Sequence, residues 1–455
     1  MRLQSIWLVL VLVAGFGVRL WAMRWPPFPI DMGDWIAWGE RVLAVGPGNF
    51  YSETIFADYA PGYVYVMWLT AAIKNGLLPA AGIGTYHFLY RLTPMLIDLA
   101  TGALIYNVLA REETAPNQAI VQSGTPPRTG APLALLAAAC HVFNPAIIFN
   151  SAVWGQIDAT FTFGMLLAVV LLARGRAEWA VVSYVVAFMI KPQAISLAPL
   201  IGLVLLLRFP PRRWLLAAAA GLALAYVIAA PFLGLNAFWG LYRQLQKSVE
   251  TYPYTSLFTY NLWALYGMWE DDRVPFRLGL SVRSTGTLLY LVGIVCGVAL
   301  LVRQLRRTRH DLQTYVLFAT YFTFLPVMVL TRMHERYLYP VLPFLLMVVF
   351  VHAIRRSRVV GQRGVSWCVL GTPFGAYGVL SVLHTLNLYH VYTYYLNYGP
   401  GVPRSNTLFY FIDDYAKLWS IVTLLIFAGV GAALVRWSFG RPSYQAQLGV
   451  PDPAS

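Results

Sequence analysis

The sequence predicts an all-α polytopic membrane protein with about twelve transmembrane helices and a long first external loop that carries short interfacial helices. Of its 455 residues, 58% are apolar and only 11% are charged, and the mean hydropathy is positive, which excludes a soluble chain of this length. Twelve apolar stretches, each near the 20 or so residues that cross a hydrocarbon core of about 30 Å, are centred near residues 14, 99, 141, 163, 184, 201, 224, 294, 321, 345, 375 and 427. The strict alternation of a β-barrel is absent.

The first stretch, Ile6 to Met23, runs into Arg24-Trp25-Pro26-Pro27 rather than a small-residue cleavage site, so it reads as a retained span. Cys140, Cys296 and Cys368 all lie inside apolar stretches, which suits packing and neither a disulfide framework nor a zinc site. The net charge of +14 follows the membrane rather than a nucleic acid. If the apolar segment Tyr63 to Ile73 does not span, the basic clusters Arg174 and Arg176, Arg208 to Arg213, Arg303 to Arg309, Arg355 to Arg363, and Arg436 with Arg441 all fall on one side, with Arg2, Arg111 and Arg128. By the positive-inside rule that side is cytoplasmic, and Tyr63 to Ile73 lies along the outer surface or re-enters.

The whole of 1–455 then reads as one membrane domain in the plasma membrane, with both termini cytoplasmic, a cytoplasmic tail at 437–455 and an extracytoplasmic working face. Its long external connections are 24–90, 235–283 and 386–417, rich in Tyr, Trp and acids rather than linker residues. Within the second, 238–247 alternates apolar and polar groups at helical spacing and predicts a helix lying in the interface.

The chemistry-bearing residues gather on these connections. Prolines 26, 27 and 29 and Gly46-Pro47-Gly48 bracket a short helix in which Asp31, Asp34, Trp35 and Trp38 share one face. Asp31 either caps that helix, with Asp34 favourably in its first turn, or one of the two is a general base whose proton affinity is raised by the apolar indoles. Asp58-Tyr59-Ala60-Pro61 follows, with Asp58 a possible cap of the next helix. Arg91 and Asp98, seven apart, read as an internal ion pair. Asn150-Ser151-Ala152-Val153-Trp154-Gly155-Gln156-Ile157-Asp158 places amides and an acid at the junction of the third and fourth spans, and Lys191-Pro192-Gln193 marks the end of the fifth. There Lys191 either snorkels to the headgroups or supplies charge to an anionic ligand. Arg332-Met333-His334-Glu335-Arg336, before Pro340 and Pro343, sets ionisable groups at the mouth of an apolar segment, where such groups mark a ligand site.

Together, from about residue 19 to 350, these elements resemble the C-type glycosyltransferases, in particular bacterial mannosyltransferase-like proteins and, more distantly, the dolichyl-phosphate-glucose-dependent glucosyltransferases. The resemblance implies inverting transfer of a hexose, mannose or glucose, from a polyprenyl-phosphate-linked donor to an acceptor hydroxyl at the external membrane face. It implies Asp31 as the base, seven residues before Trp38, with Asp34 in reserve. His334 and Arg336, helped by Arg332 and Lys191, would hold the donor phosphate, and Glu335 would orient His334 or contact the sugar. Asp58, Tyr59, Trp154, Gln156 and Asp158 fall in the substrate-binding set. Ala60 departs from the family's Asp-Tyr-Pro-Pro pattern.

A polyprenyl phosphate is a good leaving group, so cations that stabilise its departure suffice and no cofactor is required. A divalent metal on Asp31 and Asp34 is the alternative, although hard cations want several oxygen ligands. The expected partners are a lipid-linked sugar donor, a glycan, lipid or protein acceptor and the membrane, but no nucleic acid. Two rival classes remain: a carrier or flippase for lipid-linked sugars, whose ionisable groups would line the midplane, and a structural partner in an envelope assembly.

Overall fold

The computed structural model describes residues 2–114, 131–307, 310–360, 367–397 and 407–440. Of the basic residues used above to orient the chain, Arg128, Arg309, Arg363 and Arg441 lie outside them, as does most of the expected tail. The protein is a bundle of α-helices, and all twelve predicted apolar stretches are centred on helical residues.

The number of helices long and apolar enough to cross a membrane is smaller than expected. Seven qualify among the described residues: Ser5–Ala22, Ile83–Thr114, Pro211–Leu233, Val282–Arg307, Leu312–Val329, Glu335–Ser357 and Ala416–Phe439. The bent pair Pro132–Val142 and Pro145–Trp154, broken by 43°, makes an eighth if it is one span. Asp158–Ala173, Ala177–Ile190 and Pro192–Arg208 are apolar but shorter. At 1.5 Å per residue a helix of 16 residues rises only about 24 Å, less than the hydrocarbon thickness. Trp367–Asn397, the eleventh predicted stretch, is long but carries buried Ser381, His384, Asn387, His390 and Thr393.

The first helix, α1 (Arg2–Ala22), leads through Pro26 and Pro27 into α2 (Pro29–Val45), whose first turn has Pro29 where a missing N–H costs nothing. α2 packs on α3 (Pro61–Leu77), which contains the ambiguous segment Tyr63 to Ile73 and is not among the helices long and apolar enough to cross. Trp35, Trp38, Tyr63, Val64 and Met67 form the core between them. Gly62 lets α3 approach the helix Ala177–Ile190 closely, since a Cβ there would lie 2.4 Å from the Met189 carbonyl oxygen. That approach sets Asp58 beside the end of the helix leading to Lys191.

The helix Pro132–Val142 stops at Asn144-Pro145, and the chain continues through the short helix Pro145–Ile148 into a π turn, Phe149–Trp154. The turn closes at Gly155, whose φ of 94° only glycine adopts easily. This break aims Trp154 and Gln156 back toward α2. Along the second long connection, the helix Ala237–Glu250 buries only Ala237 and Leu241 and exposes Phe238, Trp239 and Tyr242, an amphipathic helix slightly longer than the predicted 238–247. The same connection holds a short hairpin, Pro275–Arg277 with Leu280–Ser281, a small exception to the all-α expectation.

Candidate active site

Asp31 stands at the third residue of α2, where a carboxylate favours the helix N-terminus, yet it does not cap the helix: the N-cap is Phe28, with no side-chain hydrogen bond. Instead Asp31 Oδ2 accepts hydrogen bonds from Trp154 Nε1 at 2.7 Å and Gln156 Nε2 at 2.6 Å. Both donors come from the π turn and the residues just after it, 123 and 125 positions away. Gln156 is itself fixed, since its Oε1 accepts from the Ile157 amide at 3.1 Å. Asp31 is thus tied down through one oxygen, while Oδ1 faces Arg336 Nη2 at 3.9 Å, beyond hydrogen-bonding distance.

The indoles expected to raise the proton affinity of a first-loop acid lie elsewhere. Trp35 and Trp38 point into the core, and Trp38 Nε1 donates to the Phe56 carbonyl at 2.8 Å. The raised proton affinity belongs to Asp34, whose carboxyl is pushed up to about 6, first by burial and then by the charges of Asp31 and Asp58. Asp58 is also raised, chiefly by burial, although Arg336 opposes the shift. It does not cap α3, whose N-cap is Ala60 without a side-chain bond. Tyr59 packs its ring against Trp35, Trp38 and Tyr63, and its carbonyl accepts from the Tyr51 hydroxyl at 2.7 Å.

On the opposite wall, Arg336 donates to Glu335 Oε1 at 3.0 Å and lies 3.4 Å from His334 Nδ1. Its buried Nε has no partner among the described residues, so the guanidinium keeps donor capacity next to the free oxygen of Asp31. His334 sits between the rings of Tyr252 and Tyr337. Burial, then the charges of Arg336 and Lys191, hold its imidazole well below the usual range and therefore neutral.

Lys191 and Asp158 are brought together at the ends of two short helices. The Lys191 ammonium donates to Asp158 Oδ1, while Asn150 donates to Oδ2 at 3.0 Å. Lys191 is only 5% exposed, so it does not snorkel. Its charge is balanced by Asp158 but still acts on Asp58 and His334.

Two expectations need correction. Arg91 and Asp98 share a face but do not pair, because seven residues of helix separate them by about 10 Å. Asp98 instead pairs with Arg19, whose Nη2 is at 3.2 Å, and accepts from the Tyr339 hydroxyl, with both members of the ion pair fully buried. Arg91 Nη1 donates to the carbonyls of Met23, Trp25 and Ala152. Arg332, expected among the cations facing the donor, is turned the other way. Its guanidinium holds Asp272 through Nε at 2.7 Å and Nη2 at 3.0 Å, and Glu250 through Nη1 at 3.0 Å.

Arg19, Asp272 and Glu250 are the partners that sequence reasoning missed. Asp272 sits in Glu270-Asp271-Asp272-Arg273, which reads as a solvated acidic turn and gives no signal of burial. Among the described residues no group of three or more His, Cys, Asp or Glu side chains gathers to hold a metal ion.

Fold and site therefore define a multi-pass membrane protein in which a carboxylate held by two N–H donors faces a guanidinium with unused capacity. Against protein families, a model of the ALG3 protein family matches residues 75–261, less than half of the chain. That family consists of dolichyl-phosphate-mannose-dependent mannosyltransferases, which are membrane glycosyltransferases. Over that stretch the chain is similar to a family of glycosyltransferases. No curated protein matches the chain. The matched stretch contains Trp154, Gln156, Asp158 and Lys191, whereas Asp31, Asp34, Asp58 and His334 to Arg336 lie outside it.

Proposed function

We propose that the protein transfers a hexose, mannose in the first instance, from a polyprenyl-phosphate-linked donor to an acceptor hydroxyl with inversion, at the extracytoplasmic face of the plasma membrane. The observation that carries this reading is the pair formed by Asp31 and Arg336, 3.9 Å apart and each with an unused hydrogen-bonding atom. The similarity to the ALG3 family supports mannose and a lipid-linked donor.

In this reading the donor's sugar is seated beside the Asp31–Arg336 pair. Asp31 Oδ1 accepts the proton of the acceptor hydroxyl as that oxygen attacks C1 of the sugar. The bond from C1 to the phosphate oxygen breaks with its electron pair, and the polyprenyl phosphate leaves with the extra negative charge. Arg336 donates to that phosphate and neutral His334 offers one N–H, so the growing charge is met by donors already in position. Lys191 and Arg332, occupied by Asp158 and by Asp272 with Glu250, contribute from behind by charge and by holding the walls in place. Trp154 and Gln156 fix the base, Glu335 fixes Arg336, and Asp34 and Asp58 line the approach. Afterwards the proton on Asp31 passes to solvent.

The test supplies purified protein with synthetic α- or β-linked polyprenyl-phosphate mannose, a native membrane-lipid extract as acceptor, and NMR of the product's anomeric centre. Inversion relative to the donor is expected. A product that retains the donor's configuration would overturn the single-displacement mechanism.

A further inference from the structure

The second long connection is stitched to the residues just before His334. Leu257 donates its amide to the Met333 carbonyl at 3.0 Å, Thr259 donates its hydroxyl to the same oxygen at 2.6 Å, and the Arg332 amide donates to the Tyr254 carbonyl at 2.9 Å. Two residues in this seam adopt the left-handed backbone that non-glycine residues avoid: Arg332, with φ of 64°, and Phe258, with φ of 66°. Phe258 is bridged directly to His334. Such conformations persist only where surrounding contacts over-determine them, and they cluster at functional sites.

What determines Arg332 is Asp272. Its carboxylate is fully buried, grips the guanidinium with both oxygens, and also accepts the Thr331 hydroxyl at 2.7 Å. The backbone of Asp272 is anchored as well, its amide to the Pro253 carbonyl at 3.0 Å and its carbonyl to the Arg283 amide at 2.8 Å. A bidentate pair of this kind fixes direction as well as distance.

We propose that Asp272 is a positioning residue for the phosphate end of the active site, acting through Arg332 on the backbone that carries His334, Glu335 and Arg336. The inference rests on the transfer reaction proposed above. Asp272 touches no substrate; it sets the turn from which the two phosphate donors project.

Transfer kinetics and amide hydrogen exchange of the full-length protein in nanodiscs test it. Asp272→Asn is expected to raise the donor KM about tenfold, on the order of one lost charge-assisted hydrogen bond, with a smaller change in kcat and partial recovery in Asp272→Glu. Because the effect runs through Arg336, adding Asp272→Asn to Arg336→Lys should cost less than a further twofold, whereas a general structural weakening would add in full. Exchange at residues 331–337 should rise in Asp272→Asn whether or not transfer is measured, which separates this inference from the reaction itself. Should Asp272→Asn fail to fold, Arg332→Lys keeps the charge, removes the fork and carries the same expectations. An unchanged donor KM, fully additive losses, or unchanged exchange at 331–337 would overturn the proposal.

Discussion

Replacing Asp31 by Asn removes the proposed proton acceptor while leaving its surroundings in place. The Asn oxygen can still accept from Trp154 Nε1 and Gln156 Nε2, now at 2.7 and 2.6 Å from the carboxylate. Each of these bonds changes from charge-assisted to neutral, a loss of about 1 kcal/mol apiece. Native stability should therefore fall by about 2 kcal/mol, a drop of a few degrees in the thermal midpoint. The chemical step loses a general base, worth about 10²- to 10⁴-fold, or roughly 3 to 5 kcal/mol of barrier at 1.36 kcal/mol per tenfold. Asp31→Asn should thus cut kcat at least a hundredfold while donor binding, assigned in the proposal to Arg336 and His334, changes little. The assay is steady-state transfer of labelled mannose from a polyprenyl-phosphate donor, with thermal unfolding of the same preparation as control. A folded variant that keeps more than a tenth of wild-type kcat would refute the assignment and move the base to Asp34 or Asp58.

Other perturbations have equally definite outcomes. Asp34 has its carboxyl raised from 3.8 to about 6, so between those pH values the native state binds more protons than the unfolded one and stability falls as pH rises. Asp34→Asn should accordingly be more stable than wild type above pH 6, with the advantage gone below pH 4, as read from denaturation midpoints across that range. The buried Lys191–Asp158 pair makes Lys191→Met destabilising by about 3 to 5 kcal/mol, because it strands a buried carboxylate, and Lys191→Met with Asp158→Asn should recover much of that loss in thermal unfolding. Since the proposed phosphate site draws its cations from the chain, transfer should proceed unchanged in excess EDTA; loss of activity restored by added Mg²⁺ or Mn²⁺ would reinstate a metal on the first-loop acids.

The helical character and most of the elements around the site were legible because apolar period and proline brackets are local signals. Pro29 and Gly46 bound α2 much as the sequence indicates, and Trp35 and Trp38 lie together on its buried face. The expected count of about twelve spans exceeds the seven or eight helices that are long and apolar enough among the described residues, because helix length depends on tertiary context. The stretches near 163, 184 and 201 are apolar enough for spans, but buried breaks at Asp158 and Lys191 shorten them, since each charge is stabilised by the other rather than by water. Pair assignments failed for a related reason. Helical spacing placed Arg91 and Asp98 on one face, but the partner of Asp98 is Arg19, 79 residues away. Asp31 meeting Trp154 and Arg332 meeting Asp272 are long-range events of the same kind. Arg336 was legible because its His-Glu-Arg setting sits beside an apolar run, whereas Asp272 sits in an acidic turn that looks solvated.

The most direct test of lipid-phosphate-dependent hexose transfer is a donor comparison: purified protein in nanodiscs, one labelled sugar supplied as polyprenyl-phosphate mannose, as polyprenyl-phosphate glucose or as nucleotide-activated mannose, with the same membrane-lipid acceptor extract throughout. Labelled product is predicted from polyprenyl-phosphate mannose and none from the nucleotide sugar. Product from the nucleotide sugar alone, or no product from any lipid-linked donor although the extract supports transfer by another membrane glycosyltransferase, would contradict it.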